Sequence, residues 1–556
     1  MRIGRARFSP AGILLFLILL LALALRLNGL GFGLPALYDP DEPLFVVSAL
    51  KLLRDQTLNP GWFGHPGTTT IYALAIIDML VFAAGSLTGR LADTHAFATA
   101  IYTDPSIVVL PGRLFIALCG VGCVWLTFLI GRRLFGDRAG LLAALLLAVD
   151  PLHVQWSQVI RTDIQATLFM LACVLASIGV ARHGRLGDYL WAGLWVGLGT
   201  ATKWPAATII ACLVGAALLR MRSDPANARQ AAGRLAIGLA ASLAALLIVS
   251  PYILIDHQTV LANLGREARP QHLGATGGGL LFNLGWYVAG PMREAIGIAG
   301  LALAAIGIGV AARRPVALAT IIPAFLVFLL AISGESLIWA RWILPLLPFL
   351  SLFAAVAIVA VADRLAPGLG RRGAVAVQLL LAAALALPML AAARAEAAER
   401  INDTRTQAAR WARAHIPRSD RIVLEHLAFD MLGDGWSFLF PGGDVGCIDG
   451  NKVLAGQVRY ADVERWRNGR SILDLGTIDP ARIAACWGDY AIISHLDRYQ
   501  REPDRYRAEL ATYRRFLDGG TTVAMFRPAP GRSGGPEVRI VRLGPLAGPE
   551  EDAPKR

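Results

Sequence analysis

The chain has 556 residues, of which 55% are hydrophobic and only 17% charged, and its formal net charge is +13. Water-soluble globules carry about 25% charged residues, so a single soluble globule is excluded and the bilayer is the solvent for most of the chain. The positive charge does not make a nucleic-acid surface either, because the arginines fall in short loops between apolar segments and no basic face is interleaved with aromatics.

Arg2, Arg5 and Arg7 precede the first apolar run. No small-residue cleavage site follows it, and Arg26-Leu27-Asn28 end it, so it reads as an uncleaved first helix. Apolar spans of the length that crosses the hydrocarbon fall near 10–27, 108–131, 138–152, 164–181, 188–202, 205–220, 233–252, 286–311, 316–333, 341–362 and 373–393, about eleven crossings. With the N-terminus inside, the predicted cytoplasmic loops carry Arg132, Arg133 and Arg138, then Arg182 and Arg185, then Arg220, Arg222, Arg229 and Arg234, then Arg313 and Arg314, and last Arg364, Arg371 and Arg372. All obey the positive-inside rule. One further apolar stretch, Thr70 to Leu87, would reverse every later loop if it crossed, so it reads as a helix at the outer interface.

This predicts a mainly α polytopic membrane helix bundle over 1–395, whose first extracytoplasmic loop, 29–107, holds interfacial helices. An extracytoplasmic α/β domain follows over 396–544, and 545–556 reads as disordered. Within the α/β domain the pattern predicts a helix around Ala397 to His415 and strands at Arg421 to Glu425, Tyr490 to Ser494, Thr521 to Arg527 and Val538 to Leu543. Cys119, Cys123, Cys173 and Cys212 lie in apolar stretches as small core residues. Cys447 and Cys486 lie in the α/β domain, where an oxidising compartment would permit pairing; the sequence leaves paired and free forms both open.

The most informative local sequence is Tyr38-Asp39-Pro40-Asp41-Glu42-Pro43, just after the first helix. Read as helix punctuation, Asp41 is an N-cap, Glu42 favours the first turn and Pro43 suits a helix start. Read as chemistry, Asp41 is a general base at the lip of a membrane cavity. Asp39 and Asp41 also offer oxygens to a divalent cation, but two acids at that spacing are weak evidence for one, and no cofactor is assigned.

Further along come His65 in Gly64-His65-Pro66-Gly67, Arg161-Thr162-Asp163 at the start of an apolar helix, and Lys203 in Thr202-Lys203-Trp204-Pro205. Arg341 marks another helix start, and Tyr252 and Asp256 open the second long outer loop. Each has a bland reading as an interface or headgroup-facing residue. Together they bring acids and fixed cations to one face of the membrane, as a phosphate-bearing lipid requires.

The order of these motifs resembles the GT-C glycosyltransferases, in particular glycosyltransferase family 39 and its bacterial relatives, which include protein O-mannosyltransferases and lipid A aminoarabinose transferases. Asp41-Glu42 looks like the family's first-loop acidic pair, and His65-Pro66-Gly67 is similar to the His-Pro-Pro or Lys-Pro-Pro that follows it. Arg113-Leu114, Arg132-Arg133-Leu134-Phe135-Gly136, Arg161 with Asp163, Thr202-Lys203-Trp204-Pro205, Pro251-Tyr252 with Asp256, and Arg341 with Pro345 and Pro348 continue the order. The sequence departs at Gly67, where the family often has a second Pro, and at Asp39, an extra acid.

The resemblance implies an inverting transfer of a sugar from a polyprenyl-phosphate donor to an extracytoplasmic acceptor; separately, high Ala and Arg usage with no eukaryotic retention signal points to a bacterial cytoplasmic membrane. Asp41 and Glu42 would be catalytic; Asp39, His65, Arg161, Asp163, Lys203, Tyr252, Asp256 and Arg341 would bind substrate. A flippase or transporter for a lipid-linked sugar is the alternative, although no internal repeat favours it.

Overall fold

The computed structural model describes residues 9–546, apart from 427, 459, 468, 469 and 471. The predicted disordered tail therefore lies, from 547 onward, outside the described residues. The chain divides into two compact units. The first comprises Met1–Leu30, Asp41–Gln271 and Ala275–Arg394; the second comprises Gly31–Pro40, His272–Gly274 and Ala395–Arg556.

The first unit is helical. Among the described residues nine helical segments are long and apolar enough to cross a membrane. The difference from eleven has physical causes. The spans expected at 138–152 and 188–202 form the short helices Asp137–Val149 and Leu186–Thr202. The last two are one helix, Leu347–Ile401, interrupted only where Gly370 takes φ 69° and ψ 172°. Thr68–Leu87, laid at the interface in the sequence reading, is also long and apolar enough to cross.

Lipid offers no hydrophobic drive between helices, so close approach of small residues holds them together. A Cβ at Gly193 would fall 2.1 Å from the Gly238 carbonyl oxygen, and one at Gly197 would fall 2.4 Å from that of Ser242. These glycines, four apart on Leu186–Thr202, seat that helix against Ala228–Val249.

The second unit is built on a six-stranded sheet. Its strands are β1 (Arg421–Leu424), β2 (Ser437–Pro441), β3 (Cys447–Asp449), β4 (Tyr490–Ile493), β5 (Gly520–Phe526) and β6 (Val538–Leu543), in the order β3-β2-β1-β4-β6-β5. β1 pairs in parallel with β2 and β4, and the other pairings are antiparallel. Successive side chains point to opposite faces. Ile422, Leu424, Tyr490 and Ile492 therefore enter one core, and Val423, Ala491, Ile493 and Val541 the other.

All four expected strands form. β2 and β3 were not foreseen. The helix expected from Ala397 to His415 is divided at Asn402–Asp403, where the Asp403 carboxylate accepts the Arg405 N–H at 2.8 Å and caps a new helix, Thr404–His415. Cys447 and Cys486 form a disulfide.

Candidate active site at the start of three helices

Asp41 precedes the helix Glu42–Arg54, but its side chain makes no capping hydrogen bond. The carboxylate instead pairs with Arg161 and lies 3.8 Å from Arg341 Nη2. Helix punctuation therefore does not account for this acid. Burial pushes the Asp41 carboxyl up, but Arg161 and Arg341 outweigh that and hold it below its ordinary range. Each arginine also lies over an indole, Arg161 at 5.2 Å from the Trp156 ring centre and Arg341 at 4.6 Å from that of Trp339.

The neighbouring acid is differently employed. Glu42 is fully buried, and its two oxygens accept from Arg113 Nε at 2.8 Å and Nη2 at 2.6 Å. It also accepts the Ile160 N–H at 2.9 Å, and Arg113 donates onward to the Leu30 carbonyl at 2.7 Å. Both carboxylate oxygens are thus committed to holding chain segments together, which is a positioning geometry rather than that of a base open to substrate.

Thr162–His183 begins beside Arg161, and Asp163 in its first turn pairs with Lys203. Lys203 sits in an extended break, φ −152°, between the helix Leu186–Thr202 and the 3-10 turn Trp204–Ile209. The second Asp163 oxygen, Oδ2, is buried with no hydrogen-bond partner among the described residues. Asp163 and Lys203 line a pocket whose remaining walls are mostly apolar, among them Met170, Phe328, Ile332 and Trp342.

His65 is brought to this group by backbone pairing. Pro66 and Lys203 form an antiparallel bridge, with Gly67 N donating to Thr202 O at 3.1 Å and Trp204 N to His65 O at 2.9 Å. Gly67 takes φ 74° here and uses its N–H. A proline, fixed near φ −65° with no N–H, could do neither, which explains the departure from a second Pro. The His65 ring lies 5.1 Å from Trp62 and 3.3 Å from Thr162 Oγ1 through Nδ1. Burial, with Lys203 and Arg341 adding to it, pushes His65 down to about 3, so the imidazole is neutral at physiological pH.

Asp41, Arg161, Asp163, Lys203, His65 and Arg341 are therefore brought together. Tyr252 and Asp256 are not. Asp256 is half-buried and accepts from Asn59 Nδ2 at 3.0 Å, and Tyr252 makes no hydrogen bond or ion pair to the group. Asp39 falls in Gly31–Pro40, which belongs to the second unit.

One acid was missed. Glu267, at the end of the helix His257–Glu267, is raised above its ordinary value chiefly by burial, and feels Asp41, Arg341 and Lys203. Its carboxylate would stand 3.0 Å from a Cβ placed on Gly64, next to His65. It lies in an amphipathic stretch with no local motif, and nothing short of the fold marks it.

Residues 91–255 match the family of dolichyl-phosphate-mannose-protein mannosyltransferases, a range that holds Arg113, Arg161, Asp163 and Lys203. The structure of ArnT from Cupriavidus metallidurans in the apo state is similar over 98% of this chain and 100% of that one, at 17% identity and a TM-score of 0.53. The fold is of the type seen in ArnT, a GT-C glycosyltransferase. ArnT bound to undecaprenyl phosphate is similar over 98% of this chain and 100% of that one, at 16% identity and a TM-score of 0.49. For the Archaeoglobus fulgidus oligosaccharyltransferase tethered with an acceptor peptide, 94% of this chain and 74% of that one align at 13% identity and a TM-score of 0.49. No curated protein matches this sequence.

Proposed function

We propose that the chain is an integral-membrane inverting glycosyltransferase that takes a sugar from a polyprenyl-phosphate donor and passes it to an extracytoplasmic hydroxyl acceptor. The observation that carries this reading is the pairing of Asp41 with Arg161 and its nearness to Arg341, in a GT-C fold whose 91–255 segment matches a family named for a lipid-phosphate sugar donor.

The two guanidinium groups serve Asp41. An arriving phosphate is a stronger bidentate partner for arginine and draws them away, which releases the carboxylate and raises its proton affinity. Asp41 then takes the acceptor hydroxyl proton as the oxygen attacks the anomeric carbon from the face opposite the phosphate. The bond from that carbon to the phosphate oxygen breaks, and its electron pair stays on the lipid phosphate, where Arg161, Arg341 and Lys203 meet the new charge. Glu42 and Arg113 fix the backbone on either side of the base. Asp163 orients Lys203. The Cys447–Cys486 disulfide supports an oxidising, extracytoplasmic setting for the second unit.

The test is transfer in proteoliposomes supplied with a radiolabelled polyprenyl-phosphate sugar and envelope acceptors. Wild type transfers label, and Asp41→Asn inserts normally but loses about 10²–10⁴-fold in rate, the range of a lost general base. Near wild-type turnover in Asp41→Asn removes Asp41 from the chemistry, and movement of label across the bilayer without transfer makes the protein a flippase.

A further inference from the structure

We infer that the second unit carries a divalent transition-metal site, of the kind that takes zinc, made by Glu425, Asp474 and His495. The three offer ligand atoms that all lie within 4.8 Å of one another, and all three side chains are buried. Nothing in the proposed transfer chemistry uses them.

Their place in the sheet is the first argument. Glu425 follows β1 directly, and His495 follows β4 with one residue between. β1 connects forward to β2 on one side, while its other neighbour is β4. The carboxyl ends of β1 and β4 thus flank a topological switch point, where open α/β sheets leave a crevice for ligands. Asp474 reaches the same crevice from the start of the 3-10 turn Leu475–Thr477, held there by a reciprocal capping box with Thr477.

Geometry is the second argument. His495 Nδ1 and Asp474 Oδ2 stand 3.4 Å apart, yet Nδ1 has no hydrogen-bond partner although the residue is only 8% exposed. That separation is poor for a hydrogen bond. It suits two ligands of one ion, since atoms about 2.1 Å from a tetrahedral zinc lie about 3.4 Å from each other.

The donor set is the third. Glu425 accepts from Tyr513 Oη, from Ser494 N and Oγ, from His495 N at 2.7 Å and from Leu475 N at 3.3 Å. Asp474 accepts from Tyr499 Oη at 2.8 Å and from Thr477 N at 3.1 Å. Every partner is a donor, so each carboxyl keeps acceptor capacity for a further electrophile. Among the described residues no Lys or Arg forms an ion pair with either acid. Two buried carboxyl groups and one imidazole then form a donor set that a divalent cation takes. Glu425 reaches it by giving up its long bonds from Leu475 N and Ser494 Oγ, both 3.3 Å, while Tyr499 and Tyr513 remain to orient the carboxylates as outer partners do in metal sites.

The experiment uses the full-length protein in detergent, stripped with chelator, incubated with zinc alone and desalted before the metal is measured by mass spectrometry. Wild type retains one equivalent, His495→Gln and Asp474→Asn retain none, and Asp41→Asn retains the full equivalent. Cobalt in place of zinc gives the intense visible band of a four-coordinate site in wild type, and His495→Gln abolishes it. The Cys447–Cys486 disulfide, scored by thiol labelling, reports that each variant has folded. Absence of retained zinc in wild type overturns the site, as does full retention in folded His495→Gln. Loss of the ion in Asp41→Asn alone places it in the first unit and equally overturns it. None of these results bears on sugar transfer, so the proposed activity stands or falls separately.

Discussion

Glu42 Oε1 accepts the backbone N–H of Ile160 at 2.9 Å, one residue before Arg161, the partner of Asp41. Two adjacent acids thus grip two adjacent residues of a distant segment, one through its backbone and one through its side chain. The two acids of this motif therefore have different partners, a pair of arginine side chains for Asp41 and a buried arginine with a backbone N–H for Glu42.

The anchor is expected to matter for stability. Arg113→Ala leaves Glu42 buried without its cation, and breaking a buried pair costs about 3–5 kcal/mol. Thermal unfolding in detergent should show a large fall for Arg113→Ala and for Glu42→Ala. The paired replacement Glu42→Leu with Arg113→Met should recover much of it. Full stability in the single variants would show that the pair holds nothing.

The two arginines should not tolerate lysine. A lysine keeps the charge but loses the planar fork and its stacking on Trp156 or Trp339. Arg161→Lys and Arg341→Lys are each expected to lower kcat by about 10²–10³-fold, as removal of one preorganised donor does. Initial rates at saturating donor measure this, and a change confined to KM would show that these groups only bind the ground state.

The pH dependence separates Asp41 from His65. With its arginines in place Asp41 lies below its ordinary range, so kcat/KM for transfer should fall only as pH drops below about 4, the ordinary carboxylate value, while the corresponding fall in kcat should come at higher pH. His65 stays neutral down to about 3, so the rate profile should show no inflection near pH 6.5 from it. The unfolded chain protonates this imidazole below its usual value of about 6.5 while the folded chain does not, so His65 makes stability rise with pH between these limits. Rate profiles of wild type and His65→Asn should coincide in shape. A neutral-range inflection lost in His65→Asn would show that the imidazole titrates in the working enzyme.

The disulfide closes a loop with a sequence separation of 39, for which chain entropy predicts about 4 kcal/mol of stabilisation. Paired Cys447→Ser and Cys486→Ser replacement should lower the unfolding temperature of the second unit and raise its sensitivity to protease. The first unit is expected to keep its melting behaviour, and equal loss in both would show that they unfold together.

Much of this was legible because bilayer and sheet impose simple periods. Long apolar runs mark helices whatever they pack against, and the four strands that were foreseen are β-branched or apolar runs, of which β1 and β4 are buried almost throughout and β5 is largely exposed. β2 and β3 escaped because Ser437–Pro441 ends in a proline and Cys447–Asp449 is only three residues long, too little to show alternation. The interruption at Asp403 was written in the sequence as an N-cap but was outweighed by helical residues on both sides.

The grouping of Asp41, Arg161, Asp163, Lys203 and Arg341 was legible because charges beside apolar helices stand out. The different partners of Asp41 and Glu42 were not, since adjacent acids look alike until Arg113 and Ile160 N are seen to occupy one of them. Glu267 was hidden in a polar helix, and Tyr252 and Asp256 drew attention by position alone.

The short bridge between Pro66 and Lys203 bears on when the site comes into being. The segment carrying His65 emerges from the ribosome long before Thr202 and Trp204, which supply the backbone partners that define its shape. Until Leu186–Thr202 has entered the membrane, Gly67 has no acceptor and His65 no fixed orientation. A nascent chain halted short of Lys203 would already hold its acidic pair and still lack the turn that shapes the His65 segment, and Arg341 follows later still, so the group beside Asp41 is assembled stepwise and late in biogenesis.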